Sequence, residues 1–194
     1  MITVKGVYFE RPGQENTEET LNIAKARAEE LGIRTILVAS TRGETGVKAA
    51  EIFKGYSLVV VSHVTGFKEP NLQELTAENR AAIEGAGAKI LTCQHAFAGV
   101  DRAIRRKLNT YQVSEIMAYT LRVFGEGMKV VCELALMAAD AGLVRTDEEV
   151  IAIAGTGRGA DTAVVLVPAN SHDFFDLRVV EVLCKPRLGL IPSS

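Results

Sequence analysis

The sequence predicts an α/β protein whose mainly parallel sheet is covered by helices on both faces and carries an antiparallel hairpin at its edge. Two observations lead there. Three near-continuous apolar runs, TILVA (35 to 39), LVVV (58 to 61) and AKIL (88 to 91), alternate with stretches of helical periodicity. Strands apolar on both sides belong to parallel sheets buried under helices. Further on, IAIA (151 to 154) is followed by AVVLV (163 to 167) after only eight residues. That is too few for the crossover a parallel pair needs, so this pair is a hairpin.

In chain order, the first helix opens at Thr17, read as its cap, with Glu18 and Glu19 in the first turn. Leu21, Ala24, Ala28 and Leu31 repeat at helical spacing, and Gly32 suits a left-handed stop. Helices near 44 to 54 and 76 to 85 join the three parallel strands. From Ala98 to Leu143 the chain is mainly helical, first basic (DRAIRRKLN) and then apolar (MKVVCELALMAADAG). The apolar helix carries Val131, Leu134, Ala135, Met137 and Ala138 around most of its circumference. It is therefore buried, either between the sheet and its neighbours or at a subunit contact. Arg102, Arg105, Arg106 and Lys107 could reach toward a ligand phosphate, but a solvated helix face is the preferred reading. The alternating run LRVVEVLC (177 to 184) extends the antiparallel edge, and Pro186 and Pro192 end regular structure. Residues 1 to 194 read as one domain without internal repeats.

Composition narrows the function. Lys plus Arg total 22 against 24 acids, a net charge of -2, which gives no general field for nucleic acid or an anionic membrane. No apolar run approaches the roughly 20 residues of a spanning helix. The start, MITVKGVYFERPG, lacks a signal peptide's long apolar region, which places the protein in the cytoplasm. Cys93, Cys132 and Cys184 fit neither a disulfide framework nor a zinc knuckle and read as buried free thiols. His63, His95 and His172 have no metal-ligand spacing, so no metal is expected.

Ligands of open parallel sheets bind beyond the carboxyl ends of the strands. Four segments fall there: 40 to 46 after the first apolar strand, SHVTGF (62 to 67), TCQHAF (92 to 97) and GTGRGADT (155 to 162). All turn from apolar to hydroxyl, imidazole, amide or glycine at the same edge. In ILVASTRGETG (36 to 46) a strand ends in Ser40, Thr41, Arg42 and Gly43 just before a helix holding Thr45. Uncapped N–H groups, the positive end of the helix dipole, hydroxyls and a forked cation suit a phosphate there. Gly155, Gly157 and Gly159 permit close approach of backbone to an anion, with Arg158, Thr156 and Thr162 as donors beside Asp161. Neither segment is a dinucleotide fingerprint or a nucleoside triphosphate loop. His63, Thr65, Gly66, Phe67, Gln94 and His95 would line a slot for a planar, partly apolar ring.

The run ILVASTRGETGVKAAEIF resembles the first strand, phosphate loop and helix of the C-terminal α/β domain of pyruvate kinases, and IAIAGTGRGADTAVVLVPA resembles that domain's closing hairpin. The segment 98 to 125 looks inserted. GMKVVCELALMAADAGLV and GTGRGADT together resemble stand-alone, mostly archaeal proteins carrying only this domain. The resemblance implies a three-layer α/β/α fold with a mixed sheet and a pocket associated with flavin mononucleotide (FMN). It also implies a phosphate role for Ser40, Thr41, Arg42, Gly43 and Thr45, with Gly155 to Thr162 closing over the ligand. In pyruvate kinases this domain holds an allosteric sugar-phosphate site. Phosphate transfer from phosphoenolpyruvate is therefore not expected, and no barrel fits this length. Glu44 stands where the kinase pattern often has a basic residue, which disfavours a sugar bisphosphate more than a single phosphate.

The leading expectation is a binder of a phosphorylated small molecule, FMN first, and with it an FMN-dependent oxidoreductase. A non-catalytic sensor of a sugar phosphate is the second expectation. A hydrolase or transferase using His63 or His95 as general base is the third. The apolar helix from 128 to 139 favours a homo-oligomer.

Overall fold

The computed structural model describes residue 1 and residues 3 to 189; Pro192 lies outside the described residues. The seven strands are β1 (Val7–Phe9), β2 (Thr35–Ala39), β3 (Ser57–Ser62), β4 (Lys89–Thr92), β5 (Val150–Ala154), β6 (Thr162–Val167) and β7 (Arg178–Pro186). They form one sheet in the order β1-β7-β6-β5-β2-β3-β4. β2 pairs in parallel with β3 and β5, β3 with β4, and β1 with β7, while β6 is antiparallel to both β5 and β7. Only β6 therefore runs against the other strands. The expected hairpin and its extension are present, and Pro186 is the last residue of β7. The sequence reading did not place β1, which is three residues long and joins the sheet outside β7.

The helices are α1 (Thr17–Leu31), α2 (Glu44–Ile52), α3 (Ala77–Gly85), α4 (Gly99–Leu108), α5 (Val113–Arg122) and α6 (Glu126–Asp140). α1 ends at Gly32 in the left-handed conformation, where its N–H reaches Ala28 O and Glu29 O. Its start differs from expectation. A 3-10 turn, Gln14–Asn16, runs straight into it, Asn16 holds the cap position, and Thr17 is the first helical residue. α3 has a conventional cap, since Thr76 Oγ1 accepts from Asn79 N.

Strand alternation divides the interior in two. Ile36 and Val38 of β2, Val60 of β3 and Ile151 and Ile153 of β5 pack with Leu21, Ala24 and Ala28 of α1, Ala49 of α2 and Ile83 of α3. Leu37, Val59 and Val61, with Ala152 and Ala154, face Val131, Leu134, Ala135 and Ala138 of α6 and Ala118 of α5. The result is three layers, each large apolar side chain contributing about 1.5 to 3 kcal/mol by leaving water. α6 is the apolar helix of the sequence, and of its two expected placements it takes the intramolecular one, between sheet and α5. Alanines on both sides of that contact let helix and sheet approach closely. Among the described residues, no helix is long and apolar enough to cross a membrane.

Candidate functional site

Because β1 to β5 share one direction, the segments leaving their carboxyl ends meet at a single edge. β2 lies between β3, which follows it through α2, and β5, which returns from the opposite layer. Chain order reverses there, and a crevice opens where the connections part. The cleft at that edge has a volume of about 1170 Å³ and takes residues from all the segments after β1, β2, β3, β4 and β5.

The segment after β2 presents an open helix start. Ser40 N donates to Val61 O (2.9 Å), and Ser40 Oγ accepts from Gly46 N (3.0 Å), so this buried hydroxyl satisfies one amide of α2 from the strand end. The N–H groups of Gly43, Glu44 and Thr45 find no acceptor among the described residues. These are the orphan donors that favour an anion. Arg42 O accepts from Asn79 Nδ2 (2.9 Å) and Thr76 N (3.3 Å), which fixes the loop against α3 while the guanidinium stays exposed. Gly43 lies outside the cleft wall, contrary to its expected contact role. It has φ 109°, and a Cβ there would come within 2.3 Å of Asn79 Cβ, so glycine is needed for close packing. Glu44 leans toward Arg42, at 3.8 Å, and both are more than half exposed.

The glycine-rich segment is built differently. Asp161, fully buried, accepts from Gly13 N and Thr156 N through Oδ2 (both 3.1 Å) and from Thr162 Oγ1 through Oδ1 (2.8 Å). Thr17 Oγ1 accepts from Ala160 N (3.0 Å) and donates to Gln14 O (2.6 Å). A Cβ on Gly159, at φ +71°, would sit 2.4 Å from Thr17 Oγ1. The glycines thus let this loop fold down onto the start of α1, and most of its amides are spent internally. Gly155, Gly157, Arg158 and Gly159 line the cleft, but Thr156, Asp161 and Thr162 do not. Asp161 and Thr162 are scaffold residues, and Thr162 packs against Gly127 at the start of α6.

At the β3 and β4 ends, His63, Phe67 and His95 form an aromatic cluster with ring centroids 4.3, 5.2 and 5.4 Å apart, and all three line the cleft. Glu74 Oε2 lies 2.9 Å from His63 Nδ1, and Thr41 Oγ1 lies 3.3 Å from Nε2. A carboxylate can only accept, so Nδ1 donates to Glu74, and Nε2 is the ring nitrogen turned toward the Thr41 hydroxyl. His95 behaves otherwise. Burial lowers its pKa to about 4, the Glu133 carboxylate opposing that fall less strongly, and its Nε2 accepts from Val64 N (3.3 Å). It is a neutral scaffold imidazole. Thr65, Gly66 and Gln94 lie outside the cleft. Thr65 Oγ1 accepts from Gln73 Nε2 (3.2 Å), Gly66 N closes a turn onto Leu72 O (2.9 Å), and Gln94 folds back on Gly99.

α6 supplies a wall that the sequence reading treated only as apolar packing. Lys129 and Glu133, one turn apart and 7% and 5% exposed, form an ion pair at the cleft, and Glu133 Oε1 also accepts from Phe97 N (3.0 Å). A lysine and a glutamate at i and i+4 inside an otherwise apolar helix were the available signal. Arg102 of α4 also enters the cleft, 4.8 Å above the Phe67 ring, rather than lying on a solvated face. Arg105 of that expected face pairs with Glu115 (2.6 Å). Seven lysines and arginines line the cleft against five carboxylates, Glu15, Glu44, Glu74, Glu126 and Glu133, on a chain of net charge -2. Positive charge thus outweighs negative along this cleft. No group of three or more potential metal ligands occurs among the described residues.

Fold and site together define an α/β protein with a cation-rich cleft at the carboxyl edge of its sheet. The family model of the pyruvate kinase α/β domain matches residues 18–166, and the chain belongs to that family. Among solved structures it is similar to a pyruvate kinase of Cryptosporidium parvum, at 10% identity and TM-score 0.40, over 79% of this chain and 23% of that one. A Cryptosporidium parvum pyruvate kinase in complex with ADP matches at 12% identity and TM-score 0.37, over 77% of this chain and 22% of that one. The chain thus corresponds to less than a quarter of either kinase.

Proposed function

We propose that the cleft binds a phosphorylated small molecule with its phosphate at the start of α2, and that FMN is the ligand. The observation that carries this reading is the pair of open N–H groups at Glu44 and Thr45 beside Arg42, within a cleft where cations outnumber carboxylates. The residues present fit FMN. Arg42, Thr41 and the α2 amides would hold the phosphate. His63 and Phe67 offer flat surface for the ring, and 1170 Å³ exceeds the roughly 300 to 1000 Å³ that holds one drug-sized ligand. Bound FMN supplies electron and hydride transfer, while the chain positions partners and excludes water. Mass spectrometry of the small molecule that copurifies, with the visible absorption of the purified protein, tests this. A flavin mass supports FMN, and a sugar phosphate in its place replaces FMN with the sensor reading.

A second reading has one specific observation in its favour. Thr41, His63 and Glu74 stand in a hydroxyl–imidazole–carboxylate row, the arrangement of a general base. A hydrolase or transferase would therefore use His63, not His95, whose depressed pKa makes it a poor proton acceptor. Loss of turnover in His63→Ala with unchanged ligand affinity would favour it.

The free thiols Cys93, Cys132 and Cys184 suit the reducing cytoplasm; burial pushes Cys132 and Cys184 up to about 11 and so keeps them unreactive. Exposed Val113 and Ile116 on α5, with Val123 and Phe124 after it, support association of copies, which light scattering would detect.

A further inference from the structure

We infer that the outer face of α5 is the contact through which two copies of this chain join. The inference rests on the association of copies proposed for this chain and names the face that makes it. α5 is apolar on both sides. Met117, Ala118 and Leu121 pack into the layer of α6, while Val113, Ile116, Tyr119 and Thr120, with Val123 and Phe124 just beyond, are exposed along one arc of the same helix. No exposed side chain on that arc is charged. Glu115 is buried and paired with Arg105 (2.6 Å), and the partly buried Arg122 pairs with Glu126 (2.6 Å), so the charges of α5 are spent at its flanks. Thr120 Oγ1 donates to Ile116 O (3.0 Å), so the hydroxyl within the strip already has an acceptor. Covering this face therefore strands no charge.

The occupant is a second copy. Every other described α-helix presents charge to solvent, at Glu29 of α1, Glu51 of α2, Glu84 of α3, Arg106 of α4 and Asp140 of α6. The uncharged helical strip that matches α5 on this molecule is α5 itself, and a surface that complements itself forms a two-fold pair. Tyr111, whose ring lies 5.8 Å from that of Tyr119, extends the strip. It and the five exposed apolar side chains of the arc are each more than half exposed. Together the six hold on the order of 600 Å² of side chain in water, most of the roughly 800 Å² that each partner of a stable dimer covers. A two-fold axis between Ile116 and Thr120 lays the Val113 end of one copy over the Phe124 end of the other and opposes the two helix dipoles. Arg122 lies 5.3 Å from the Tyr119 ring and also lines the cleft, so the joined face reaches the cleft rim.

Sedimentation of the full chain over a range of concentrations, without flavin, tests this on wild type, Ile116→Lys and, as a control on α2, Glu51→Lys. The expected wild-type mass is two chains or a multiple of two. Ile116→Lys should raise the dissociation constant about a hundredfold or more, and Glu51→Lys should leave it unchanged. Should Ile116→Lys misfold by circular dichroism, Thr120→Cys decides: oxidation by diamide is expected to link it into a dimer that neither wild type nor Glu51→Cys forms. A monomeric wild type overturns this interface together with the association it rests on. An odd number of chains, association undiminished in folded Ile116→Lys, or Thr120→Cys that links no faster than Glu51→Cys overturns the interface alone.

Discussion

The two loops that read alike in sequence, Ser40 to Thr45 and Gly155 to Asp161, differ in where their amides go. The first ends in the short helix α2, whose opening N–H groups meet no acceptor among the described residues. The second is richer in glycine, yet the Asp161 carboxylate takes up Thr156 N, Thr17 Oγ1 takes up Ala160 N, Thr156 O takes up Arg158 N, and Ala154 O of β5 takes up Asp161 N. Glycine permits a backbone to approach an anion, but it equally permits a backbone to approach itself. A buried carboxylate two residues beyond the last glycine is what makes the difference here.

This contrast predicts that the second loop acts through stability and the first through affinity. The largest effect is expected for Asp161→Ala, which leaves Gly13 N, Thr156 N and Thr162 Oγ1 without their acceptor in the interior. A loss of about 3 kcal/mol or more, read from the urea midpoint, follows. Loss below about 1 kcal/mol would mean the loop finds other acceptors and the contrast fails. Arg42→Ala should weaken a phosphorylated ligand by about 1.5 to 3 kcal/mol by calorimetry while leaving the urea midpoint nearly unmoved. Arg158→Ala should cost the same ligand less, about 1 kcal/mol or under, because its loop contributes a cation without a row of open amides. An Arg158 effect equal to that of Arg42 would show both loops on one phosphate.

A further effect, seen only through pH, concerns His95. Its folded pKa, about 4, lies below the ordinary value of about 6.5, so the unfolded chain binds more protons between these limits. Stability is therefore gained as pH rises through that window and lost as pH falls toward 4. His95→Asn, which keeps an acceptor for Val64 N, should flatten this part of the urea-midpoint profile. An unchanged slope would assign the dependence to other groups.

Most of the fold could be read because apolar strands stop abruptly where the sheet does. β2, β3 and the β5–β6 hairpin end within a residue or two of Ala39, Val61 and Val167, where hydroxyls, glycine or proline begin. β1 gave no such signal: three residues with an exposed Tyr8 carry no pattern, and their strand character comes from pairing with β7. The edge of the site was equally legible, since strand direction alone brings the loops together. Which side chains face the cleft was not. Thr65, Gln94 and Asp161 have the polar character of ligand contacts and spend it inside the chain. Lys129, Glu133 and Arg102 looked like packing or solvent faces because long-range contacts, not local sequence, turn them inward.

The most direct measurement is a calorimetric comparison of FMN with riboflavin, which differ by the phosphate alone, on wild type and Arg42→Ala. Wild type is expected to bind FMN at least about tenfold more tightly, and Arg42→Ala to remove most of that margin. Equal affinity of wild type for the two flavins would contradict a phosphate site at the start of α2.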